Sequence, residues 1–526
     1  MKRFVSLAIV LAMLLMVISV AVADDASYKG DAFAGYPIQT NETLRLWTNG
    51  LGYHSDYISE DESPYHQWLE EATGVDIIWE RPAAGANATQ AYNLMIATGD
   101  LPDIIYKGSL PSECETMIDD GIFLVLDDYM EDYAPSLYAF LQSDPDTTRA
   151  VLSDSGHYYC FPFIRENVDW LGRNNGPTIS MKMLEEVGME KPVTIDDWDK
   201  ALHAFVELDD CDIVLTGTNA TRPRSAFGNA FGFQGNARYY VDEEGKAATW
   251  MNAAGYKDFL TLMHQWYVDG IIDPDFATLD LMGFVAKFVA NRCGAAVYGS
   301  ATPARFYLQI LERDGEWEYE ATQYAVANEG DPVLFPQGEA LWTETGAVIT
   351  TACENIGLAM RFLDYGYTKE GIELWNYGKE GESFYRDDAG NPHVMDSIIN
   401  AEEGTTLALS RYTSMTGNGI SIMSIAWNQE KQGKLANDMV DMWSKNAADA
   451  RLHFWPPVCA SIEENSELST IESAVTTYAD EMYLNFIIGT ESLDNYDQYL
   501  ANLENLGISR VLEIKQVQLD RYNARN

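Results

Sequence analysis

The 526-residue sequence has few basic residues, and this shortage excludes several classes of partner. Lysine and arginine number 34 against 81 aspartates and glutamates, so the formal net charge is −47. Such a charge repels phosphate backbones and anionic lipid surfaces, which excludes nucleic-acid and membrane-surface binding. The sequence also lacks short repeats and long stretches poor in apolar residues, which excludes collagenous, coiled-coil and low-complexity proteins.

Groups that bind metals or act as nucleophiles are equally scarce. Seven histidines are scattered, and no CxxC or His-Cys pair has metal-ligand spacing. The GxSxG, HExxH, Walker and GxGxxG patterns are absent from the sequence. We therefore predict no catalytic residue, no metal site and no cofactor. The cysteines could pair in an exported chain, but each is interpreted as a small buried apolar residue: Cys114, Cys160, Cys211, Cys293, Cys353 and Cys459.

One long hydrophobic run is present, at the N-terminus. Residues 1–3 are Met-Lys-Arg, residues 4–20 are apolar apart from two serines, and residues 21–23 have the Ala-x-Ala pattern of a signal-peptidase site. This predicts a signal peptide over residues 1–23 and an exported protein, extracellular or in the cell envelope (periplasmic where two membranes exist). A membrane anchor is the alternative. Because the first cysteine is Cys114, no lipid anchor is predicted.

The rest of the chain is too long for one ordinary domain and carries alternating strand and helix patterns. These patterns predict a β-α-β-α-β order and hence a largely parallel sheet covered by helices. The expected elements are a strand over 44–47, a helix over Pro64–Thr73 closed by Gly74, a strand over 75–79, a helix over 89–98 and a strand over 103–106.

Individual helix patterns follow further along the chain, and the C-terminal part, from Ile471 to about Gln518, is predicted to be mostly helical. Thr194 and Asp197 have the spacing of a capping box, which marks a helix start. Trp198, Phe259 and Trp266 lie on apolar helical stripes and are interpreted as core residues.

Five segments, in this order, resemble elements of the extracellular solute-binding proteins of carbohydrate ABC importers. The last is similar to an element of the subgroup that includes alginate-oligosaccharide-binding proteins. The segments are IATGDLPDIIY at 96–106, GIFLVLDDY at 121–129, PVTIDDW at 192–198, YVDGIIDPDF at 267–276 and NYGKEG at 376–381.

The resemblance implies an α/β fold of the type II periplasmic-binding-protein class. Two discontinuous lobes would be joined by a hinge, with a ligand cleft between them that closes on the ligand. From the order of the segments we expect one lobe from 24–165 plus 325–372, the other from 166–324 plus 373–480, and C-terminal helices over 481–526. The subgroup often carries a calcium loop, but the stretch 208–213 is too short for one, and no calcium is predicted there.

Aromatic residues are abundant, with 13 Trp, 30 Tyr and 20 Phe. Flat rings stack on the C–H face of sugars, and planar polar groups bind the hydroxyls. Candidates for such contacts are the aromatic and polar residues expected at strand ends or in loops. We predict these ligand-binding residues: Trp47, Asn49, Tyr106, Lys107, Trp170, Arg173, Tyr298, Trp342, Glu344, Arg411, Tyr412 and Trp427.

Three functions stay open at this point. The first is a monomeric protein that captures a carbohydrate, expected to be an oligosaccharide, and delivers it to the membrane permease of an ABC transporter. The second is a secreted carbohydrate-active enzyme of the glycoside hydrolase type, because 81 carboxylates leave room for a catalytic pair. The third is a binding protein for a ligand other than sugar, such as a peptide.

Overall fold

A computed structural model describes most of the chain as a mixed α/β protein. The described residues are 26–48, 60–83, 86–166, 175–217, 222–290, 292–299, 318–338, 340–402, 405–413 and 419–525. The predicted signal peptide over 1–23 lies outside them. Among the helices described, none has both the length and the apolar character needed to cross a membrane.

The chain divides into two compact units, each built from discontinuous segments. The first unit comprises residues 1–163, 344–385 and 407–422, and the second comprises 164–343, 386–406 and 423–526. The predicted α/β fold with two discontinuous lobes is thereby confirmed.

Fourteen strands are described, in four sheets. A six-stranded sheet of the first unit has the order β14-β4-β11-β3-β1-β2, a four-stranded sheet of the second unit has the order β10-β5-β9-β6, and β7-β8 and β12-β13 form two-stranded sheets. The bounds are β1 Thr43–Thr48, β2 Asp76–Glu80, β3 Ile104–Lys107, β4 Phe161–Arg165, β5 Asn175–Ser180, β6 Ile213–Gly217, β7 Tyr239–Val241, β8 Ala247–Thr249, β9 Cys293–Gly299, β10 Tyr319–Ala321, β11 Trp342–Ile349, β12 Phe384–Arg386, β13 Pro392–Val394 and β14 Ile422–Met423.

The α-helices of the described segments cover and connect these sheets. They are α1 Pro64–Thr73, α2 Ala88–Thr98, α3 Cys114–Asp119, α4 Met130–Tyr133, α5 Pro135–Ser143, α6 Pro145–Val151, α7 Met181–Val187, α8 Ile195–Val206, α9 Arg222–Phe227, α10 Tyr256–Val268, α11 Leu281–Val289, α12 Ile356–Asp364, α13 Lys369–Tyr377, α14 Asp396–Ile399, α15 Thr405–Leu409, α16 Ile425–Trp443, α17 Ile462–Ile488, α18 Tyr496–Leu506 and α19 Ile508–Ala524.

The first unit begins with the predicted β-α-β-α-β order. β1 pairs in parallel with both β2 and β3. Helix α1 ends where the sequence predicts, at Gly74 with φ of 73°. A Cβ at Gly74 would lie 2.2 Å from the carbonyl oxygen of Ile38, so both the turn and the close backbone approach require glycine. These strand and helix predictions are confirmed.

The second unit is held together by an aromatic core between its sheet and its helices. Trp198, Phe259 and Trp266 are fully buried in this core, as predicted. Helix α8 begins with the predicted capping box, in which Thr194 accepts from the Asp197 amide and the Asp197 carboxylate accepts from the Thr194 amide. The cysteines of the described segments are free thiols, and all are buried except Cys211, which is half-buried.

The division into units differs from the predicted lobe boundaries in several stretches. The sequence places 325–343 in the first lobe, but Asn229 bonds to the Ala325 carbonyl and the Phe335 amide and ties the stretch to the second unit. Residues 373–385 and 407–422 belong to the first unit instead of the second. The C-terminal helices belong to the second unit, where the Tyr499 hydroxyl donates to the Met251 carbonyl.

Candidate binding site

The carboxyl ends of two parallel strands meet at one edge of the first unit's sheet. β1 ends at Thr48 beside β3, with Trp47 opposite Ile105. Strand β11 runs antiparallel to β3, with Gly346 opposite Lys107, so β11 begins at this same edge. We call this place the carboxyl edge and define it by Trp47, Thr48, Lys107, Ser109 and Glu344. Open α/β sheets bind ligands beyond such edges.

Two aromatic rings pack together at the carboxyl edge. The Trp47 ring lies 5.7 Å from the Tyr92 ring, at an angle of 47° between the planes. Tyr92 is the buried residue of helix α2, whereas Leu94 on the same helix is exposed. The Tyr92 hydroxyl donates to the Glu113 carboxylate over 2.8 Å. Burial raises the pKa of Tyr92, and the negative charge of Glu113 raises it further, so the phenol keeps its proton.

The positive charge of this edge is already paired. Lys107 Nζ lies 2.5 Å from a Glu113 carboxylate oxygen and 4.6 Å from the Tyr92 ring centroid. The Lys107 and Glu113 side chains are 15% and 20% exposed, so water screens this ion pair incompletely. With an ammonium group bound to Glu113, the cluster is suited to hydrogen-bond a polar ligand rather than to coordinate a metal ion.

The backbone is strained at two positions of the carboxyl edge. Ser109 has φ of 58° and Glu344 has φ of 61°, in the left-handed region that residues other than glycine rarely adopt. Glu344 is half-buried, and burial raises the pKa of its carboxyl group.

The predicted residue Tyr106 has a different environment from its neighbour Lys107. It is 3% exposed and lines a cavity of about 40 Å³ inside the first unit, together with Leu46, Leu69 and Phe362. Ligand contact at Tyr106 stays a prediction, and its burial favours a packing role.

A second concave region of the first unit is a surface groove of about 390 Å³ between α1 and α13. Trp68 forms part of its wall, and the predicted residue Tyr412 stacks on Trp68 at 6.2 Å with an interplanar angle of 11°. Lys379 Nζ lies 5.8 Å from the Trp68 ring centroid and 2.9 Å from the Glu71 carboxylate. Trp68, Tyr365 and Phe384 contribute aromatic surface to the groove, and Lys379 lies over the Trp68 ring.

The predicted residues of the second unit lie inside it. Tyr298 and Trp427 are fully buried, and Trp342 is 1% exposed. The Tyr298 ring packs between Phe284 and Phe288, at 5.6 Å and 5.2 Å. For these residues ligand contact stays a prediction, and the geometry of the described residues favours a packing role.

For the remaining predicted residues the structure describes few contacts or none. Asn49, Trp170 and Arg173 lie outside the described residues. Arg411 is half-buried in the first unit.

Two residues of the edge cluster, Tyr92 and Glu113, were missed by sequence reasoning. Tyr92 is the aromatic residue of a predicted helix, which is a weak signal, because such residues usually pack in a core. Glu113 has no local signal at all, since its contact with Tyr92 joins residues 21 positions apart.

Comparison with known proteins connects this geometry to a family. The sequence pattern of the bacterial extracellular solute-binding proteins matches residues 56–373. The chain belongs to this family. Among its relatives is the fructooligosaccharide ABC transporter substrate-binding protein FusA of Streptococcus pneumoniae serotype 4. The two are 24% identical over 524 residues, which cover 93% of this chain and 92% of FusA.

Solved structures share the fold. The alginate-binding protein AlgQ2 without calcium ion matches with a TM-score of 0.72 and 20% identity, over 92% of this chain and 100% of AlgQ2. FusA in complex with kestose matches with a TM-score of 0.71 and 21% identity, over 92% of this chain and 100% of that one. At these identities the likeness shows a common fold.

Proposed function

We propose that this member of the extracellular solute-binding family captures an oligosaccharide outside the cell and delivers it to the permease of an ABC transporter. The observation that carries the proposal is the relationship to FusA, which extends over nearly the whole of both chains. FusA is named for fructooligosaccharides, and a solved structure holds it with kestose. We further propose that the protein works as a monomer.

The carboxyl edge has the chemistry that this function needs. The Trp47 and Tyr92 rings are each 6% exposed, and we propose that their accessible edges contact the C–H face of a sugar. Lys107 and Glu113 lie beside the Tyr92 ring and supply a donor and an acceptor for hydroxyl groups, and Glu344 supplies a further acceptor near the start of β11. We infer that the sugar is held here by stacking and hydrogen bonding together.

Binding without catalysis is the second part of the proposal. The relatives named above are transporter substrate-binding or binding proteins. A glycoside hydrolase would release products from the sugars that it binds. A binding protein instead shows a saturable rise in melting temperature and leaves the sugar intact. We expect that result from a panel of neutral and acidic oligosaccharides, with the sugars recovered by chromatography.

A pair of tryptophan variants tests the position of the site. Trp47 and Trp68 both lie in the first unit and are 6% and 9% exposed. Both Trp47→Ala and Trp68→Ala should lower the melting temperature, because each removes a packed ring. Trp47→Ala alone should also weaken sugar binding, by about ten- to a hundredfold as measured by calorimetry.

The conservative variant Trp47→Phe serves as the control, because it keeps a flat ring and should retain most of the affinity. Equal losses of affinity in Trp47→Ala and Trp68→Ala would contradict a site at the carboxyl edge. Loss in Trp68→Ala alone would move the site to the groove.

A further inference from the structure

Backbone strain is concentrated at the carboxyl edge. In the part of the chain that the structure describes, three residues other than glycine have positive φ, namely Ser109, Glu344 and Asn446. Two of them are at this edge. Gly346 of β11 lies opposite Lys107 of β3 in the antiparallel pair. Glu344 is two residues before Gly346, and Ser109 is two residues after Lys107, so both lie just beyond this last pair. A left-handed conformation costs a non-glycine residue about 1–2 kcal/mol, and such strain persists chiefly at ligand sites.

Of the two strained residues at the carboxyl edge, Glu344 is the one with an ionisable side chain. It is half-buried, and within the described segments no hydrogen bond or ion pair reaches it. Burying a carboxylate without partners is unfavourable, and burial accordingly raises the pKa of Glu344. Glu344 thus combines a left-handed backbone with a carboxylate whose oxygens stay open to solvent, and it offers two acceptors at the place where the proposed sugar lies.

The charges described at the carboxyl edge give this acceptor a selectivity. Lys107 is the cation of the carboxyl edge, and Glu113 neutralises it at 2.5 Å. Glu344 therefore leaves the edge with an excess of negative charge. Hydroxyl groups of a sugar can donate to such an acceptor, whereas the carboxylate of a uronic acid would be repelled by it.

We propose that Glu344 accepts hydrogen bonds from ligand hydroxyls and thereby makes the site select neutral sugars over uronic acid sugars. This inference rests on the proposed oligosaccharide binding and adds the class of sugar to it. The proposal predicts that the protein distinguishes two sugars of the same shape that differ in charge. A purely structural role of Glu344 would not produce this preference.

Matched sugar pairs test the preference by calorimetry. Mannotriose and trimannuronate, and galactotriose and trigalacturonate, differ mainly in the carboxylate at C6, and kestose is added as a further neutral sugar. The wild-type protein should bind at least one neutral sugar and should bind the matching uronate at least about tenfold more weakly. Glu344→Gln should weaken neutral binding by about tenfold, because a charged acceptor becomes a neutral one, and should reduce the difference within the pair.

Glu344→Gly separates ligand binding from backbone strain. Glycine accepts the positive φ at no steric cost, so the variant should keep or raise the melting temperature of the free protein while it loses affinity. A wild type that prefers the uronate of a pair, or a Glu344→Gln variant with unchanged affinity and preference, would overturn the role of Glu344 and leave oligosaccharide binding standing. A wild type that binds no sugar of the panel would overturn both proposals.

Discussion

Trp47 and Tyr298 occupy equivalent positions in the two units, yet their surroundings differ. Each is the penultimate residue of a strand with a parallel neighbour, β1 in the first unit and β9 in the second. Trp47 packs on Tyr92, whose hydroxyl is bonded to Glu113. Tyr298 packs against two phenylalanines of helix α11. An aromatic residue at a strand end is therefore a candidate ligand contact only when polar groups lie beside it.

The difference has a physical origin in the elements that cover the two strand ends. Helix α11 places Phe284 and Phe288 against β9, and dispersion and the hydrophobic effect close that end to water. At β1 the neighbouring groups include the Lys107–Glu113 ion pair, which is 15–20% exposed. Because charged groups stay hydrated, water and a polar ligand can approach the carboxyl edge.

Removing the Tyr298 ring should produce the largest effect. Tyr298→Ala opens a cavity in the second unit's core, and we expect the free energy of unfolding to fall by about 3–5 kcal/mol in urea denaturation. Tyr298→Phe keeps the ring and should lose less than about 1.5 kcal/mol. Sugar affinity should be unchanged in the folded fraction of both variants. Should Tyr298→Ala lose affinity but retain its stability, the two strand ends would be alike after all.

Removing one partner of the ion pair should produce an intermediate effect in the first unit. Lys107→Met leaves Glu113 with the Tyr92 hydroxyl but without a cation, and we expect a loss of about 1–3 kcal/mol in the free energy of unfolding. Lys107→Met combined with Glu113→Gln removes both charges and should recover part of that loss. If the double variant is as unstable as the sum of the single variants, the pair is not coupled and the polar character of the edge needs another source.

The sequence predicted the local structure of both units well because local signals determine it. Gly74 ends helix α1, and Thr194 with Asp197 begins helix α8, both through contacts between residues close in sequence. The division into units differs from the predicted lobe boundaries where distant contacts decide it. Asn229 binds Phe335 across 106 positions, and no pattern within either segment reports that bond.

The candidate site was predictable in part for the same reason. Trp47 and Lys107 were predicted from their places at strand ends, which periodicity reveals, and Glu344 from its place in a Gly-rich stretch before a strand. Tyr92 packs on Trp47 and Glu113 pairs with Lys107; these two residues come from a helix and a loop, and tertiary packing alone brings them to the edge. Burial of Tyr298 could not be foreseen either, because it depends on helix α11 covering the end of β9.

The smallest predicted effect is a pH dependence of stability. It arises from two groups with raised pKa values, one in each unit. Burial without a partner raises the pKa of Glu344 above its ordinary value of 4.5. Burial alone would lower the pKa of His203, but hydrogen bonds to the Asp199 carbonyl and the Asp269 carboxylate outweigh it, and the pKa rises above 6.5. One shift thus reports a missing partner, and the other reports partners that are present.

Both groups should make the protein less stable as the pH rises, in different windows and for opposite reasons. The Glu344 carboxylate must ionise while half-buried, so its cost begins above pH 4.5 and is complete above its folded pKa. The His203 imidazolium stabilises the fold fully below pH 6.5, and this contribution disappears as the pH rises through its folded pKa. Because the His203 side chain is 40% exposed, we expect less than about 1 kcal/mol from it. Melting curves from pH 4 to pH 9 should flatten in the upper window for His203→Asn and in the lower window for Glu344→Gln. If His203→Asn instead flattens the lower window, the hydrogen bond to Asp269 is not the source of the pH dependence.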